Sequence, residues 1–261
     1  MSGAATSDGA THATDAPESG LLATFRGKLA MYRALRTIPD NEELSFLTAL
    51  SPLLRQAPAA LPLVGEAHRR RRGALFEDDM RLLNDVLADG PLAGRYWVWA
   101  GLLLGWAREG RVLPHDVGDA DFAFSARDDA LLAMAEDQLA EAGFRRWFSF
   151  RNHAGERTER VYVRNGFRFE FFRMDDVGED THEYHMYGPG RSGTIEFVGH
   201  LPRRGLEPFE FLDRTWLKPR DHELLLRTCY GDWRTPDPTW SVFDDRSLVA
   251  RRVWRPAAAA R

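Results

Sequence analysis

The sequence has little cysteine, little excess charge and no long hydrophobic run. Cys229 is the only cysteine among 261 residues, which excludes an internal disulfide and a cysteine-rich structural zinc site. The formal net charge of -4 gives no whole-chain argument for nucleic-acid binding. The longest apolar run, Tyr96 to Ala107, has about 12 residues, whereas a helix that spans a membrane needs about 20. We therefore expect a soluble, cytoplasmic protein without a transmembrane segment and without a nucleic-acid partner.

The beginning of the chain differs in composition from the rest. Residues 1–20 are rich in Ala, Ser, Thr, Gly and Asp, which predicts a disordered tail. Apolar residues then recur at helical spacing in Leu21–Thr37 and from about Glu42 to Gln56, which predicts a helical extension over residues 21–73. The extension ends with the arginines Arg69–Arg72. We interpret these as a solvated helix end, with peripheral contact to a membrane or an anionic polymer as the alternative.

The next segment, residues 74–245, mixes helix and strand signals, and residues 246–261 are predicted to form a C-terminal tail. Helices are predicted at Ala74–Ala88, Gly101–Glu109, Asp128–Ala142 and about Pro219–Cys229, and strands at Tyr96–Ala100, Asp119–Phe124 and Phe144–Phe150. Asn165-Gly166 suits a type I′ turn and predicts a hairpin between Val161–Arg164 and Phe167–Phe172. We therefore expect an α+β fold with a mixed or antiparallel sheet flanked by helices.

Two carboxylates stand out on one predicted strand. Residues two apart on a strand project from the same face, so Asp119 and Asp121 lie together while Ala120 and Phe122 point the other way. Burial of an unpaired carboxylate costs several kcal/mol, and a divalent cation removes this penalty. Hard oxygen ligands at this spacing suit Mg²⁺ or Mn²⁺. Taken alone, the pattern is more often a pair of exposed acids.

The residues before this strand favour a phosphate site. Gly101 lies where a predicted strand turns into a helix, and a helix N-terminus favours negative charge. Arg108, about two turns into that helix, is within reach of a phosphate. Two loop residues follow, of which Asp116 is a candidate for metal or acceptor binding and His115 for a general base. A purely structural loop role is equally compatible with His115.

These features together resemble the LicD/fukutin family, whose motif reads roughly G-T-L-L-G-x-x-R-x-x-x-x-I-P-W-D-x-D-x-D. The matching positions are Gly101, Leu103, Leu104, Gly105, Arg108, Pro114, Asp116, Asp119 and Asp121. The later stretch 230–236 is similar to the Y-G-x-W-x-x-P signature of the family. The resemblance extends over about residues 75–245.

The resemblance implies a nucleotidyltransferase-like fold and a phosphotransferase. It implies transfer of a phosphocholine or pentitol phosphate group from a CDP-activated donor to a sugar or cell-surface glycan. It also implies a third carboxylate on a neighbouring strand, for which we choose Glu170; an ion pair with Arg168 or Arg164, or an edge-strand surface position, is the alternative. The expected catalytic and metal-binding residues, with Mg²⁺ or Mn²⁺, are Asp119, Asp121 and Glu170. The expected donor-binding residues are Gly101, Gly105, Arg108 and Asp116.

Three departures from the family pattern leave other functions open. Leu102 replaces a hydroxyl residue, His115 replaces an aromatic residue, and the loop before the acids is one residue longer. The alternatives are a nucleotidyltransferase acting on a small molecule and a non-catalytic scaffold on a decayed nucleotidyltransferase fold. A histidine pair at residues 182–185 lacks the spacing of a zinc helix, and we predict an exposed loop there.

Overall fold

The computed structural model describes residues 66–190 and 193–253. The predicted tail at 1–20 and the predicted helices at Leu21–Thr37 and Glu42–Gln56 lie outside these residues. Within the described ranges, no helix combines the length and the apolar character that crossing a membrane requires.

Helices and strands alternate along the first half of the described chain, and strands dominate the second half. The helices are α1 (Glu66–Ala88), α2 (Ala100–Glu109), α3 (Asp129–Glu141) and α4 (His222–Tyr230). The strands are β1 (Tyr96–Val98), β2 (Asp119–Ser125), β3 (Arg145–Arg151), β4 (Arg157–Arg164), β5 (Phe167–Asp176), β6 (Thr181–Gly190), β7 (Gly193–Pro202), β8 (Leu206–Phe211), β9 (Arg214–Pro219) and β10 (Leu248–Val253).

A mixed sheet organises these elements. β2 lies between β1, to which it is antiparallel, and β5, to which it is parallel. β4 and then β3 continue the sheet beyond β5, while the end of β5 pairs with β6 and leads to β7 and β10. β8 and β9 form a separate hairpin. The predicted α+β fold with a mixed sheet flanked by helices is confirmed.

The predicted β4–β5 hairpin is confirmed together with its turn. Asn165 and Gly166 have φ angles of 51° and 80°, as a type I′ turn requires. The side-chain amide of Asn165 donates to both carboxylate oxygens of Asp79 on α1, at 3.0 Å each. Asp79 is buried and also pairs with Arg164. Helix α1 therefore fixes the turn that sets the register of β5.

The core is an aromatic layer on one face of the sheet. Phe122 of β2 is fully buried and stacks on Phe171 of β5 and on Trp216 of β9, with ring centroids 5.1 and 5.7 Å apart. Phe76 of α1 packs against Phe169, 5.9 Å away, from the helical side. Strand alternation keeps this apolar layer on the face opposite Asp119 and Asp121, as the sequence predicts.

The prediction of an exposed loop at residues 182–185 is wrong. These residues belong to β6, in which Tyr184 is fully buried and His185 is 3% exposed. His185 can be buried because its Nδ1 lies 2.8 Å from Oε1 of Glu196 on β7. That partner comes from another strand, so the local sequence gives no sign of it.

Two predicted boundaries also differ from the structure. Helix α1 already includes Glu66 and runs without a break to Ala88, so the boundary predicted between residues 73 and 74 falls inside a helix that contains the arginine run. The segment predicted as a C-terminal tail contains β10, which pairs antiparallel with β7. Its sequence, Leu-Val-Ala-Arg-Arg-Val, lacks the alternation of a half-buried strand because most of its side chains are exposed.

We expect Phe122→Ala to lower the free energy of unfolding by about 3–5 kcal/mol, because a fully buried aromatic ring is replaced by a cavity. Chemical denaturation measures this change. Met134→Ala is the control: this side chain is 65% exposed, and its removal should change stability by less than about 0.5 kcal/mol. Equal losses in the two variants would contradict the assignment of the core face.

Candidate functional site

The site lies on the sheet face opposite the aromatic core. Asp121 of β2 is directly paired with Glu170 of β5 across a parallel ladder, and Asp119 is paired with Arg168 in the same way. Side chains of paired residues point to the same face, so these four groups converge. Asp119 and Asp121 share that face because they are two residues apart on one strand.

Asp119, Asp121 and Glu170, which we call the acid triad, form a compact group. Each residue offers one carboxylate oxygen, and these three oxygens lie within 4.8 Å of one another. These three residues were selected from the sequence, and the structure brings their carboxylates together. Their catalytic and metal-binding roles stay predictions.

Arg168 connects two members of the triad. Its guanidinium lies 3.1 Å from Oε1 of Glu170 and donates to Oδ2 of Asp119. From the sequence, an ion pair with Arg168 was an alternative to a metal-binding role for Glu170. The structure has both, since Glu170 pairs with Arg168 while its carboxylate faces Asp119 and Asp121.

Glu159 of β4 is a further acid that sequence reasoning missed. It is paired with Phe172 of β5, which is two residues beyond Glu170 and therefore on the same face of the sheet. Glu159 is 5% exposed. Extending the predicted hairpin register upstream from its Asn-Gly turn would have found this residue.

Burial, together with the crowding of acids, shifts the pKa values of Asp121, Glu159 and Glu170 upward. Burial, and then the negative charges of Asp119 and Glu170, hold the pKa of Asp121 well above its usual range. Burial raises the pKa of Glu170 to about 7, although the nearby Arg168 opposes this effect. Burial and the charge of Glu170 likewise raise the pKa of Glu159. The site therefore holds more acidic groups than Arg168 can neutralise, so in the absence of a cation these acids favour their protonated form.

The donor set fits a hard divalent cation. Oδ1 of Asp119 is buried and has no hydrogen-bond partner in the described residues, although a buried carboxylate oxygen normally has one. The candidate ligands are all carboxylate oxygens, which Mg²⁺ and Mn²⁺ prefer. A cation beside the triad would satisfy the orphaned oxygen and lower the repulsion among the three acids.

Helix α2 begins next to the triad. The backbone N–H of Trp99, the residue before the helix, donates to the carbonyl oxygen of Asp121 at 3.0 Å. Ala100 follows with a φ of 43°, a left-handed conformation that is unusual for a residue other than glycine. The chain turns sharply here, so the first turn of the helix faces the acids. The N-terminal end of the helix adds positive potential to the site.

The residues predicted to bind the donor have different surroundings in the structure. A Cβ atom on Gly101 would lie 2.8 Å from Oδ2 of Asp116, so this carboxylate occupies the space beside the glycine. At Gly105, a Cβ would lie 2.7 Å from the carbonyl oxygen of Arg111. Close packing against the loop that follows α2 therefore explains why this position is a glycine, and no bound ligand is needed to explain it. Gly101 is in the first turn of α2, near the triad, and Asp116 lies beside it in space although it follows the helix in the chain. Contact with a donor stays a prediction for each of these residues.

Arg108 faces inward from the last turn of α2. Its side chain is 13% exposed and lies 3.6 Å from Glu109, while its buried Nε has no hydrogen-bond partner in the described residues. Burial raises the pKa of Asp116, and the nearby His115 and Arg108 oppose this effect. Arg108 thus contributes to the potential at the site and has a free donor. His115, by contrast, is 72% exposed and lies 3.7 Å from Asp116.

A pocket lined by aromatic side chains adjoins the start of α2. Its lining includes Trp99, Ala100, Tyr184, Tyr230, Trp240 and Asp245. Tyr230 is close enough to Asp121 for the acid's charge to raise its pKa, in addition to the larger effect of burial. Tyr230 and Trp240 pack against each other with ring centroids 4.6 Å apart. The end of α4 therefore closes the site on the side of the pocket.

Comparison with known proteins supports the resemblance seen in the sequence. Residues 94–200 match the family model described as LicD/FKTN/FKRP, nucleotidyltransferase domain. The match includes α2 and the acid triad, and it indicates a phosphotransferase-type transferase. The stretch 230–236, which resembled the closing signature of the family, lies outside the matched residues. No curated protein and no solved structure matches the chain.

The raised pKa values predict a pH effect on stability in the absence of divalent cations. A carboxyl whose pKa is higher in the folded state binds protons on folding, so its effect on stability becomes less favourable as pH rises from the unfolded value of about 4.3. For Glu170 this loss extends through about pH 7. We therefore expect Glu170→Gln to gain stability relative to the wild type as pH rises from about 5.5 to about 8.5.

Thermal unfolding of both proteins in EDTA, over this pH range and at constant ionic strength, measures the difference. Comparing the two proteins at each pH cancels the contributions of titrating groups that do not interact with Glu170, such as His182 and His222. Loss of the Glu170 charge also lowers the pKa values of Asp121 and Glu159, which changes the difference in the same direction. A difference in Tm that stays constant or shrinks with rising pH would show that Glu170 is not a carboxyl with a raised pKa.

Proposed function

We propose that this protein, which carries a LicD/FKTN/FKRP nucleotidyltransferase domain over residues 94–200, is a metal-dependent phosphotransferase. It transfers a phospho-alcohol group, of the phosphocholine or pentitol phosphate type, from a CDP-activated donor to a hydroxyl of a sugar or glycan. The observation that carries the proposal is the convergence of Asp119, Asp121 and Glu170 within a domain of this family. We place the activity in the cytoplasm.

The acid triad would hold Mg²⁺ or Mn²⁺ through its carboxylate oxygens. A cation bound there would supply positive charge to neutralise the phosphates and the leaving group. The orphaned Oδ1 of Asp119 and the excess of acids over basic groups support this assignment. Asp116 lies at the edge of the cluster, close enough for Asp119 to raise its pKa, and can add a further oxygen.

The remaining polar groups orient the donor and move one proton. The N-terminal turn of α2 and the free Nε of Arg108 offset negative charge on the donor phosphates. The acceptor hydroxyl loses its proton to a carboxylate of the cluster. Glu170 and Glu159 are the candidates, because both lie on the acid face of the sheet and burial raises the pKa of each.

The aromatic pocket is our candidate for the alcohol part of the donor. Trp99 links the pocket to Asp121 through its backbone hydrogen bond, so a group held among Trp99, Tyr230 and Trp240 would lie beside the triad. Concave sites with an apolar lining and few polar groups are the usual form of small-molecule sites.

The first alternative is nucleotidyl transfer, in which the nucleoside monophosphate moves instead of the phospho-alcohol. The same acids and the same cation would serve both reactions, and the family description names a nucleotidyltransferase domain. The reactions differ in their products, so the identity of the released group separates them.

The second alternative, a non-catalytic scaffold, was suggested by Leu102 in place of a hydroxyl residue. Leu102 is 2% exposed and belongs to the hydrophobic core. Its side chain therefore packs inside the domain, and the substitution removes no group from the acid face. The geometry of the triad favours the enzyme over the scaffold.

Asp121→Asn should abolish turnover and leave the fold intact. The variant removes one charged ligand, while a neutral amide is well tolerated at a site where burial already disfavours the charged form. The measurements are a steady-state transferase assay with Mn²⁺ and the Tm in EDTA. Asp137→Asn, an exposed acid on α3, is the matched control and should keep full activity. Full activity of Asp121→Asn would refute the assignment.

Products formed from CDP-choline, CDP-ribitol, CDP-glycerol and nucleoside triphosphates distinguish the reactions. We expect release of CMP from a CDP-linked donor only when Mg²⁺ or Mn²⁺ is present, because the donor phosphates must be neutralised. Release of pyrophosphate from a triphosphate would support nucleotidyl transfer. Neither release nor metal-dependent ligand binding would favour the scaffold.

A further inference from the structure

Arg168 stands at the centre of the acidic face, where a binding site for a cation is expected. It is directly opposite Asp119 in the β2–β5 ladder and two residues before Glu170 on the same strand. Its backbone N–H donates to the carbonyl oxygen of Gly118 at 2.9 Å, which fixes the strand at this point. Its guanidinium contacts both Asp119 and Glu170.

The arginine pairs with both carboxylates and leaves one oxygen of Asp119 available. It contacts Oδ2 of Asp119 and Oε1 of Glu170. Oδ1 of Asp119 is buried without a hydrogen-bond partner among the described residues, and the ion pair between Arg168 and Glu170 is made through Oε1. Asp119 therefore keeps an oxygen for a cation while the arginine stays in place.

Two roles for Arg168 follow from its position, and they make opposite predictions. If Arg168 is a substitute cation, a metal ion must displace it, and its removal should tighten metal binding. If Arg168 instead stays in place and orients the carboxylates of Asp119 and Glu170, its removal should weaken metal binding. The two acids would then repel each other and lose their orientation. The free Oδ1 of Asp119 favours the second role, because binding there requires no displacement.

We propose that Arg168 is a positioning residue that clamps Asp119 and Glu170 so that their carboxylates face the cation, and that it remains bound to both when the cation arrives. The inference rests on the proposed function, since it takes the triad as the cation site. Groups that hydrogen-bond to metal ligands orient them, and their loss commonly weakens metal affinity by about 10- to 100-fold.

The planar guanidinium is suited to this task. Its separate nitrogens contact two carboxylates at once, NH1 toward Glu170 and NH2 toward Asp119. A lysine ammonium has the same charge but is a compact point charge without a rigid fork. Arg168→Lys therefore separates the effect of geometry from that of charge, while Arg168→Met removes both.

Arg173 provides a matched control on the same strand. It also contacts two carboxylates, those of Glu156 and Asp175, and its side chain is 13% exposed. The acids that it contacts are outside the triad. Arg173→Met thus removes an equivalent arginine with equivalent partners without altering the proposed clamp.

The experiment measures the Kd for Mn²⁺ alone, from the electron paramagnetic resonance signal of free Mn²⁺, on the wild type and the three variants. We expect Arg168→Met to weaken Mn²⁺ binding by about 10- to 100-fold and Arg168→Lys to give an intermediate loss. Arg173→Met should match the wild type. Circular dichroism of each metal-free protein shows whether it is folded.

A Kd for Arg168→Met that equals the wild-type value or is smaller would overturn the clamp and favour displacement by the metal. If Arg168→Met does not fold, Arg168→Lys decides, since unchanged or tighter binding in that variant is equally contradictory. Failure of the wild type to bind Mn²⁺ would refute the proposed function and the clamp together. Normal wild-type binding with unaffected Arg168 variants would refute the clamp alone.

Discussion

Negative charge held on one face of a sheet is the constraint on which the site depends. Glu159 and Glu170 are buried and Asp121 is half-buried beside Asp119, and Arg168 is the only basic side chain in ion-pair contact with this group in the described residues. Like charges at this separation repel, and burial strengthens the repulsion because the surrounding dielectric is lower. The arrangement is stable only with protons, basic groups or cations, so its function and its stability are coupled.

The acids and the aromatic core that supports them lie on opposite faces of the same strands. On β2 and β5, one face presents Phe122 and Phe171 to the aromatic core while the other presents Asp121 and Glu170. A shift of one residue in register would exchange the two faces, so the site exists only if the register is fixed. The Asn165-Gly166 turn and its hydrogen bonds to Asp79 fix it from one end of β5.

Close packing around α2 fixes the position of this helix beside the acids. Gly105 allows the helix to approach the loop that leads into β2, because any side chain at this position would collide with the backbone of Arg111. Leu102 anchors the helix in the core, where its side chain is 2% exposed. The positive end of α2 is thereby held next to Asp121.

The sequence by itself determined the local units: the β4–β5 hairpin, the amphipathic α3, and the pairing of Asp119 with Asp121 on one face. These depend on periodicity and turn chemistry within a few residues of each other. It also led to Glu170, but through a family resemblance and not through any local rule. Only the tertiary structure decided that Arg168 and Glu159 join the triad and that Glu196 allows His185 to be buried inside a strand. The physical reason is that strand pairing brings together charges from distant parts of the chain, and their effect on one another depends on distances and burial that the order of residues does not contain.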